Sequence, residues 1–539
     1  MLMLTVKTKN IILKLLLIAL FGCLGDATAE DSINKELPNI IFNDDGWYFF
    51  RERVLWEENI LPDGLPDWAF PPAICGWGES DAEPKAKKLI KYKSVDDFLN
   101  FRLQALANTA VDCVSQFDNW TDYQAHPVLG ESPLALVAEW GRNNKKSIFL
   151  SVRMNDGHHN HHRWNSIDMR KRTFFLSNLD KLIDPVSEAE WNEIYIPWLE
   201  HRAELPKSYK TKDLRYNWKH PEIAEHFLNE ILEKVERNRL NGVELDFWRT
   251  PKLFPEGQEE PRVITDFIQH LRNKLNSLGQ KRQCNIFLIV RVPLIQEAPA
   301  GLSACAASEW VERKLLDGII LGQGNYLHRW KKSPLVDLAH KNGVKVYGPY
   351  ERMTNKAYYE NYGTPDHVRG SASVNCYKGC DGLYFFNYFS PEEYPVFNTL
   401  KSRCHYPQEF CNEVATVSND EGSGLANVTD YSVPAGKGPV SLLFDPVIIP
   451  YDADVGSWEI VVATENIPAH LLQVKLNDVV LDGMGESYCY DRSNMKHILR
   501  GQDVVSNLIK GENKIEVLLK KNPFSCPLVF KYLSIRFHP

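Results

Sequence analysis

Glu244 and Asp246 are two carboxylates two positions apart, and their spacing fits a catalytic role better than that of any other residues in this chain. Residues 241–251 read Asn-Gly-Val-Glu-Leu-Asp-Phe-Trp-Arg-Thr-Pro and contain Glu244 and Asp246. Side chains alternate between the two faces of a strand, so both carboxylates lie on one face and the apolar residues on the other. Carboxyl groups that share a face can divide general acid and general base work between them.

The elements around this segment predict a barrel. Between residues 38 and 405, short β-branched or aromatic runs alternate with helical stretches, which is typical of parallel βαβ units. The predicted strands are Asn39–Asn43, Val111–Gln116, Ser147–Met154, Gly242–Phe247, Asn285–Val292, Gly318–Leu321, Val344–Gly348 and Gly382–Phe386. Eight such strands close a (β/α)8 TIM barrel, in which the two carboxylates face the lumen at the end where barrel enzymes hold their active sites.

Helix signals lie between the strands. Ser94 is expected to cap a helix over Val95–Ala107. Pro221 is expected to open a helix over Glu222–Asn238. Gly279 is expected to close the helix that follows strand four. These helices are the crossovers that consecutive parallel strands require.

The pattern changes near residue 412. Strand runs with turn residues between them then follow, at Ser441–Phe444, Trp458–Ala463, Leu472–Leu476, Lys514–Leu519 and Tyr532–Phe537. This pattern predicts an antiparallel β-sandwich. The expected organisation is a signal peptide over 1–29, an α/β barrel domain over 30–411 and a β-sandwich over 412–539.

The strand-four segment resembles the signature of glycoside hydrolase-like TIM barrels of the family-10-like group of secreted proteins, Asp-Gly-hydrophobic-x-hydrophobic-Asp-aromatic-x-Arg-x-Pro. Its matching residues are Gly242, Asp246, Phe247, Arg249 and Pro251. Asn241 stands in place of the leading Asp, and Trp248 occupies the position at which the similar chitinase strand has its catalytic Glu. The resemblance implies cleavage of glycosidic bonds with a strand-four carboxylate as one partner. The turns of the C-terminal region resemble those of jelly-roll accessory modules.

Glycoside hydrolysis needs a second carboxyl group. Glu351 follows strand seven, which lies across the barrel from strand four, so Asp246 and Glu351 are expected to approach a sugar from opposite sides. Glu244 is the alternative partner. For Glu351, an ion pair with Arg352 or Arg249 is an equally supported structural interpretation. For Glu244, the equally supported alternative is a buried acid neutralised by Arg153 or Arg291.

Polar and aromatic residues after the strand ends are candidates for substrate binding, because sugar rings stack on aromatic faces and hydroxyls bond to polar groups. The candidates are Arg153, Asn155, His158, His159, Arg249, Trp248, Asp118, Trp120, Gln323, Asn325, Tyr350 and Asn387. A barrel that binds carbohydrate without cleaving it is the alternative to a hydrolase.

The histidines between His158 and His162 suggest a metal site at first reading. Adjacent loop histidines cannot all face one ion, and the sequence has no spacing such as His-Glu-x-x-His. A metal-dependent hydrolase is therefore the weakest hypothesis, and neither a metal nor a cofactor is expected.

The first 29 residues have the features of an export signal. Lysines, an apolar run over Ile11–Leu24 and the tripeptide Ala27-Thr28-Ala29 predict a signal peptide that is cut before Glu30. A lipid anchor at Cys23 is the alternative. The protein is expected to be secreted, periplasmic or attached to the cell surface, without a membrane span.

Charge and cysteine content set further expectations. The 62 Lys and Arg against 70 Asp and Glu give a net charge of −8, which does not favour nucleic acid, so the expected partner is a polysaccharide or oligosaccharide. Of 11 cysteines, ten follow the predicted signal, and in an exported chain they allow up to five disulfides. Cys376 and Cys380 are one of the closest pairs in sequence.

Overall fold

The computed structural model describes the two folded parts of the chain with gaps. The described residues are 36–44, 94–118, 132–155, 173–195, 212–248, 252–293, 305–322, 334–351, 368–369, 371–372, 375–376, 378–386, 391–400, 409–412, 414–419, 422–424, 431–444, 447–449, 457–465, 467–481, 485–489, 495–501 and 511–538. The predicted signal peptide and the Cys23 anchor lie outside them.

Eight parallel strands form a closed barrel in chain order, as the sequence predicts. The first strand pairs with both the second and the eighth, which closes the sheet. The strands are β1 Ile40–Asp44, β2 Cys113–Phe117, β3 Ser147–Arg153, β4 Gly242–Asp246, β5 Phe287–Val292, β6 Gly318–Leu321, β7 Lys345–Glu351 and β8 Gly382–Phe386. All eight predicted strands are present, with ends that shift by three residues or fewer.

Helices lie between most of the barrel strands. The α-helices are α1 Val95–Leu99, α2 Ala105–Ala107, α3 Pro133–Asn143, α4 Thr173–Leu176, α5 Glu188–Glu190, α6 Pro221–Arg237, α7 Pro261–Arg282, α8 Ala307–Glu312 and α9 Pro334–Asn342. Asn100–Gln104 and Trp191–Tyr195 are π-helical, and Leu179–Lys181, Pro391–Leu400 and Ala469–Leu471 are 3-10 helices. Four of these α-helices, α3, α6, α7 and α9, begin at a proline. Proline is tolerated there because the N–H that it lacks would have no intrahelical partner at the first helical position.

Helix α7 differs from the prediction that Gly279 would end it. The helix continues to Arg282, and Gln283 takes the left-handed conformation that ends it, with φ of 56°. Gly279 is needed for a close approach instead, because a Cβ there would lie 2.6 Å from the Cys284 carbonyl oxygen. The glycine therefore allows the chain to turn back tightly toward β5.

The two faces of the barrel sheet carry different side chains. Residues on the helix side join one large apolar cluster, which includes Val243, Leu245 and Phe247 of the strand-four segment. The lumen is filled by a second cluster, formed by Ile41, Cys113, Phe149, Phe287, Ile289, Ile320, Tyr347, Tyr384 and Phe386. The barrel interior is thus a packed core below its carboxyl end and not a channel.

Antiparallel sheets form the C-terminal part of the chain. Their strands are β9 Glu409–Asn412, β10 Val414–Asn419, β11 Gly422–Gly424, β12 Tyr431–Val433, β13 Val440–Phe444, β14 Val447–Ile449, β15 Ser457–Glu465, β16 Leu472–Leu476, β17 Val479–Leu481, β18 Gly485–Cys489, β19 Met495–Gly501, β20 Gly511–Asn513, β21 Ile515–Leu519 and β22 Leu528–His538. One sheet has six strands in the order β11-β10-β13-β21-β16-β17. A second sheet has the order β12-β22-β15-β19-β18, with β9 also paired to β22, and β14 and β20 form a third sheet of two strands. The expected boundary between residues 411 and 412 falls inside β9.

Disulfides are not found among the cysteines whose side chains the structure describes. These residues are thiols, at Cys113, Cys284, Cys305, Cys376, Cys380 and Cys526. The prediction of a disulfide-bonded chain is therefore not supported in this part, and Cys376 and Cys380 do not form one despite their close spacing. Within the same described ranges, no helix combines the length and apolar character that crossing a membrane would need.

Candidate active site

Glu244 and Asp246 lie in the barrel lumen, Glu244 in the middle of β4 and Asp246 at its carboxyl end. Glu244 exposes 0% of its surface and Asp246 2%. Their apolar neighbours Val243 and Leu245 belong to the cluster on the helix side. The alternation read from the sequence therefore places the carboxylates as expected.

Glu244 is hydrogen-bonded by side chains from three other strands. The Tyr384 hydroxyl of β8 donates to Oε1 over 2.7 Å. The Ser115 hydroxyl of β2 donates to Oε2. Asn43 of β1 donates from Nδ2 to both oxygens, over 3.3 and 3.2 Å, and also to the Ser151 hydroxyl over 3.2 Å. Glu244 is thus held rigidly by the barrel wall.

Burial dominates the electrostatics of Glu244. Loss of water raises the pKa of this carboxyl group, and the nearby negative charge of Asp246 raises the pKa further. Hydrogen bonds from Ser115 and Tyr384 and the charge of Arg291 act in the opposite direction. The net effect is a raised pKa, which favours the protonated acid more than in water. Tyr384 likewise has its pKa raised well above the usual value by burial and by Glu244.

Asp246 is the ion-paired member of the two carboxylates. Its Oδ2 lies 3.5 Å from Nη1 of Arg291 on the neighbouring strand β5. Its Oδ1 accepts a hydrogen bond of 2.8 Å from the backbone N–H of Trp248. Asp246 lies one side-chain repeat, about 7 Å, closer to the carboxyl end of the barrel than Glu244. A substrate that enters from that end meets Asp246 first.

Arg291 was predicted only as a possible ion partner of Glu244, and the structure pairs it with Asp246 instead. It exposes 0% of its surface, its Nε donates to the Gly322 carbonyl over 3.2 Å, and its guanidinium lies 4.4 Å from the Phe386 ring centre. Its position in the lumen follows from the alternation of side chains along a strand, because Phe287, Ile289 and Arg291 occupy every second position of β5 and share one face. The same alternation would have identified Asn43, Ser115 and Tyr384.

Arg153 ends β3 and lies beside Asp246 in the sheet register. Its guanidinium lies over the Phe117 ring, 4.4 Å from the ring centre, and the residue is partly buried. This placement is compatible with the predicted binding role. Trp248 is also partly buried, directly after β4.

Asn155 has its side chain occupied by backbone groups. Its Nδ2 donates to the carbonyls of Tyr216 and Lys252, over 2.7 and 2.6 Å, and its Oδ1 accepts from the Tyr216 N–H over 3.0 Å. It is buried and has a φ of 64°. Asn155 therefore joins the ends of β3 and β4 to the segment 212–220. This structural role corrects the expectation that the Asn155 side chain contacts sugar.

Asp118 and Tyr350 lie on the helix side of the barrel sheet. Lys234 of α6 donates to the Asp118 carbonyl over 2.9 Å and lies 3.5 Å from its carboxylate. Tyr350 is buried in the apolar cluster, and its ring centre lies 5.7 Å from that of Phe385. The expectation that these two side chains face a substrate is corrected, because both have the strand parity opposite to that of the lumen residues.

Several predicted residues lie outside what the structure describes. They are Trp120, His158, His159, Arg249, Gln323, Asn325 and Asn387. Glu351 is the last residue of β7 and pairs in register with Phe386, but its side chain also lies outside the described part. Within the described residues, no group of three His, Cys, Asp or Glu side chains could hold a metal ion.

Comparison with known proteins gives similarity in structure only. No protein-family model and no curated protein matches the chain. A maltogenic α-amylase from Thermotoga neapolitana is 9% identical over 88% of this chain and 98% of its own, with a TM-score of 0.36. A chitinase from Bacillus thuringiensis is 10% identical over 76% of this chain and 87% of its own, with a TM-score of 0.32.

A cycloisomaltooligosaccharide glucanotransferase from Paenibacillus sp. is 7% identical over 82% of this chain, with a TM-score of 0.27. The chain spans 56% of the length of that protein. All three neighbours are named for action on carbohydrates. At these identities and scores, their names describe the neighbours and not this chain.

Proposed function

We propose that this protein is a secreted glycoside hydrolase that cleaves a polysaccharide or oligosaccharide with a pair of carboxylates. The main support is Asp246, a lumen carboxylate at the carboxyl end of a closed parallel barrel, held by Arg291 and by the Trp248 N–H. Barrel enzymes hold their active sites at this end. The chemistry needs no cofactor.

In this proposal Asp246 and Glu351 are the working carboxylates. One of them protonates the leaving glycosidic oxygen. The other either takes a proton from the attacking water or itself attacks the anomeric carbon, and water then replaces it. Asp246 suits the anionic role, because its ion pair with Arg291 uses the carboxylate form. Glu351 then supplies the proton from the opposite wall of the barrel.

Glu244 has a positioning role in this scheme. It lies deeper than Asp246, and its oxygens are occupied by Ser115, Tyr384 and Asn43. With its pKa raised, Glu244 adds less negative charge beneath Asp246 than an exposed glutamate would.

A carbohydrate-binding barrel without turnover is the second candidate. The observation that favours it is burial, since Glu244 and Asp246 expose 0% and 2% of their surfaces. A working carboxylate must touch the sugar, whereas a structural ion pair is well served by this burial. The two candidates differ only in whether a bound polymer is cut.

Release of reducing sugar ends tests the proposal. The full chain is incubated with a panel of neutral and acidic polysaccharides, as wild type and as Asp246→Asn, Glu351→Gln and Glu244→Gln. The hydrolase predicts activity on at least one polymer, lost by about 100-fold or more in Asp246→Asn and Glu351→Gln. Asp266→Asn is the matched control, because Asp266 is 55% exposed on α7, away from the lumen. Binding to a polymer without cleavage of any of them would favour the second candidate.

The finer assignments belong to the same proposal. We assign the barrel to the family-10-like group on the strand-four signature, and residues 412–539 to a jelly-roll-like sandwich on the alternate burial of β16 and β21.

We also propose that residues 1–29 direct export. Mass spectrometry of the mature protein tests this, since cleavage gives Glu30 as the first residue and the alternative gives a lipid-modified Cys23.

A further inference from the structure

The same side-chain contact recurs at the amino end of four strand pairs in the barrel. The residue immediately before each even-numbered strand is an aspartate or an asparagine. Its side-chain oxygen accepts a hydrogen bond from a backbone N–H at the start of the preceding odd-numbered strand. The four hydrogen bonds run from Ile40 to Asp112 over 2.9 Å, from Ile148 to Asn241 over 2.8 Å, from Leu288 to Asp317 over 2.7 Å and from Val346 to Asp381 over 2.9 Å.

Each contact belongs to a ring of two hydrogen bonds between the same two residues. The backbone N–H of the aspartate or asparagine donates in return to the carbonyl of its partner. These distances are 3.2 Å for Asp112, 2.9 Å for Asn241, 2.9 Å for Asp317 and 2.7 Å for Asp381. We call such a ring a clamp. Because both residues donate and accept, a clamp holds its two strands in one register.

The clamps join the strands in pairs. They link β1 to β2, β3 to β4, β5 to β6 and β7 to β8. Three of the four residues before the odd-numbered strands are Lys146, Ile286 and Val344, whose side chains have no acceptor for a backbone N–H. The fourth is Asn39, whose Oδ1 accepts from the Lys345 ammonium over 2.9 Å. The barrel wall therefore repeats a unit of two strands four times.

The packing of the lumen follows the same repeat. Each clamp residue is followed by a small residue at the first lumen position of its strand: Gly242, Gly318, Gly382 and Cys113. A Cβ on Gly242 would lie 2.8 Å from the Phe149 ring, and a Cβ on Gly382 would lie 2.7 Å from the Tyr347 ring. Both rings come from the odd-numbered strand of the same unit. The two strands of these units are therefore matched in packing as well as in hydrogen bonding.

The β3–β4 clamp differs from the other three because its side chain is neutral. Two of the aspartate clamps also contact basic side chains on helices, Arg272 next to Asp317 and His340 next to Asp381. Asn241 lies three residues before Glu244. A clamp needs one acceptor oxygen, which an amide supplies as well as a carboxylate does. The amide also avoids a third negative charge on the strand that carries Glu244 and Asp246.

We propose that Asn241 is a positioning residue, which locks β4 against β3 and so keeps Asp246 beside Arg153. The clamp lies at the amino end of this strand pair, and the register that it fixes continues to the pairing of Arg153 with Asp246 at the carboxyl end. A shift of β4 by one residue would turn Glu244 and Asp246 out of the lumen. The clamp depends on the structure alone, whereas its effect on turnover rests on the proposed function.

Hydrogen exchange tests the clamp without any substrate. Asn241→Ala removes the acceptor, so the Ile148 amide is expected to exchange about tenfold or more faster than in wild type, while the Leu288 and Val346 amides keep their protection. Asn241→Asp keeps an acceptor and is expected to keep Ile148 protected. Asn273→Ala is the control, because Asn273 takes part in an exposed hydrogen bond on α7. Full protection of Ile148 in Asn241→Ala, or an equal loss at all three amides, overturns the inference.

Wild type alone gives a second measurement, which covers the case of a variant that does not fold. The two hydrogen bonds of one clamp must open together, so the amides of Ile148 and Asn241 are expected to exchange with the same dependence on urea. Mass spectrometry with fragmentation reads the exchange of each residue. Different urea dependences of the two amides overturn the inference.

Turnover tests the positioning role. On any polymer that wild type cleaves, Asn241→Ala is expected to lower kcat per folded enzyme by about tenfold or more with little change in KM, because Asp246 loses its fixed position. Asn241→Asp is expected to recover most of that loss. An unchanged kcat in Asn241→Ala overturns the positioning role and leaves the hydrolase in place. If wild type cleaves no polymer, the proposed function fails, and the exchange measurements still decide whether the clamp exists.

Discussion

Arg291 Nη1 lies 3.5 Å from Asp246 Oδ2 in the lumen of the barrel, and the side chains expose 0% and 2% of their surfaces. Two opposite charges are therefore kept out of water together, on adjacent strands at paired positions. Each compensates a charge that would otherwise be costly to bury. The pair links the candidate chemistry of Asp246 to the stability of the barrel.

Removing one partner of this pair is expected to destabilise the fold. Arg291→Met leaves the Asp246 carboxylate buried without its counter-charge, which costs about 3–5 kcal/mol of unfolding free energy. Urea denaturation measures the change. Arg313→Met, which removes an exposed i,i+4 pair with Glu309, is the control and is expected to cost less than about 1 kcal/mol. The double variant Arg291→Met, Asp246→Asn is expected to recover part of the loss, and no recovery would contradict the ion-pair interpretation.

Glu244 is expected to make stability depend on pH. Its pKa is raised above 4.5 in the folded protein, mainly by burial, so the folded chain holds a proton that the unfolded chain releases between 4.5 and the raised value. Stability therefore falls as pH rises through that window. Glu244→Gln removes this titration.

The measurement is urea unfolding of both proteins from about pH 4 to about pH 8. The unfolding free energy of wild type minus that of Glu244→Gln is expected to decrease with rising pH and then to level off. Asp112, whose pKa is also raised by burial, is present in both proteins and drops out of the difference. A difference that stays constant across the range would show that Glu244 titrates normally.

Lys234 is expected to stabilise the carboxyl end of β2. Its side chain is 3% exposed, and it contacts Glu230 over 2.8 Å as well as the Asp118 carboxylate and carbonyl. Lys234→Met removes the positive charge that Glu230 and Asp118 share, so we expect a loss of about 2–4 kcal/mol in thermal or urea unfolding. Lys281→Met is the matched control, since Lys281 pairs with Glu236 at 73% exposure, and its cost is expected to be below about 1 kcal/mol. Equal effects of the two variants would contradict the role given to Lys234.

Asn155 is expected to hold two loops through its side chain. Asn155→Ala removes three hydrogen bonds and places alanine at a φ of 64°, so it is expected to destabilise by about 3 kcal/mol. Glycine tolerates that φ, so Asn155→Gly measures the loss of the hydrogen bonds without backbone strain, and its cost is expected to be about 1 kcal/mol smaller than that of Asn155→Ala. Thermal unfolding measures the total, and limited proteolysis near residues 212–220 measures the local loosening. Resistance to protease equal to that of wild type in both variants would contradict this role.

The barrel was predictable because its signal is periodic. Apolar runs such as Leu288 and Val290 alternate with lumen residues, and the β4 carboxylates followed from the same rule. The ends of the strands were predicted less accurately than their positions, because local propensity does not determine which residues pair across strands. β7 extends to Glu351, three residues beyond its predicted end, through pairing with β8.

The site was predictable only where parity was applied consistently. Asp118 and Tyr350 were selected for following a strand, yet each has the helix-side parity. Arg291 was predicted only as a possible ion partner of Glu244, whereas the structure places it against Asp246, because the sheet register and not the local sequence decides which carboxylate it faces. The hydrogen bonds of Asn155 join segments about 60 and about 100 positions away, and local patterns carry no information on such contacts.

The aromatic and aliphatic residues that fill the lumen give the candidate site a dead end. Ile41, Phe149, Phe287 and Tyr347 pack beneath the carboxylates, so nothing can pass through the cylinder from one rim to the other. Ligands and water must share a single entrance. The polymer proposed above as the substrate would therefore be engaged from the side or by a terminus at that rim, and would never be threaded through the middle of the molecule.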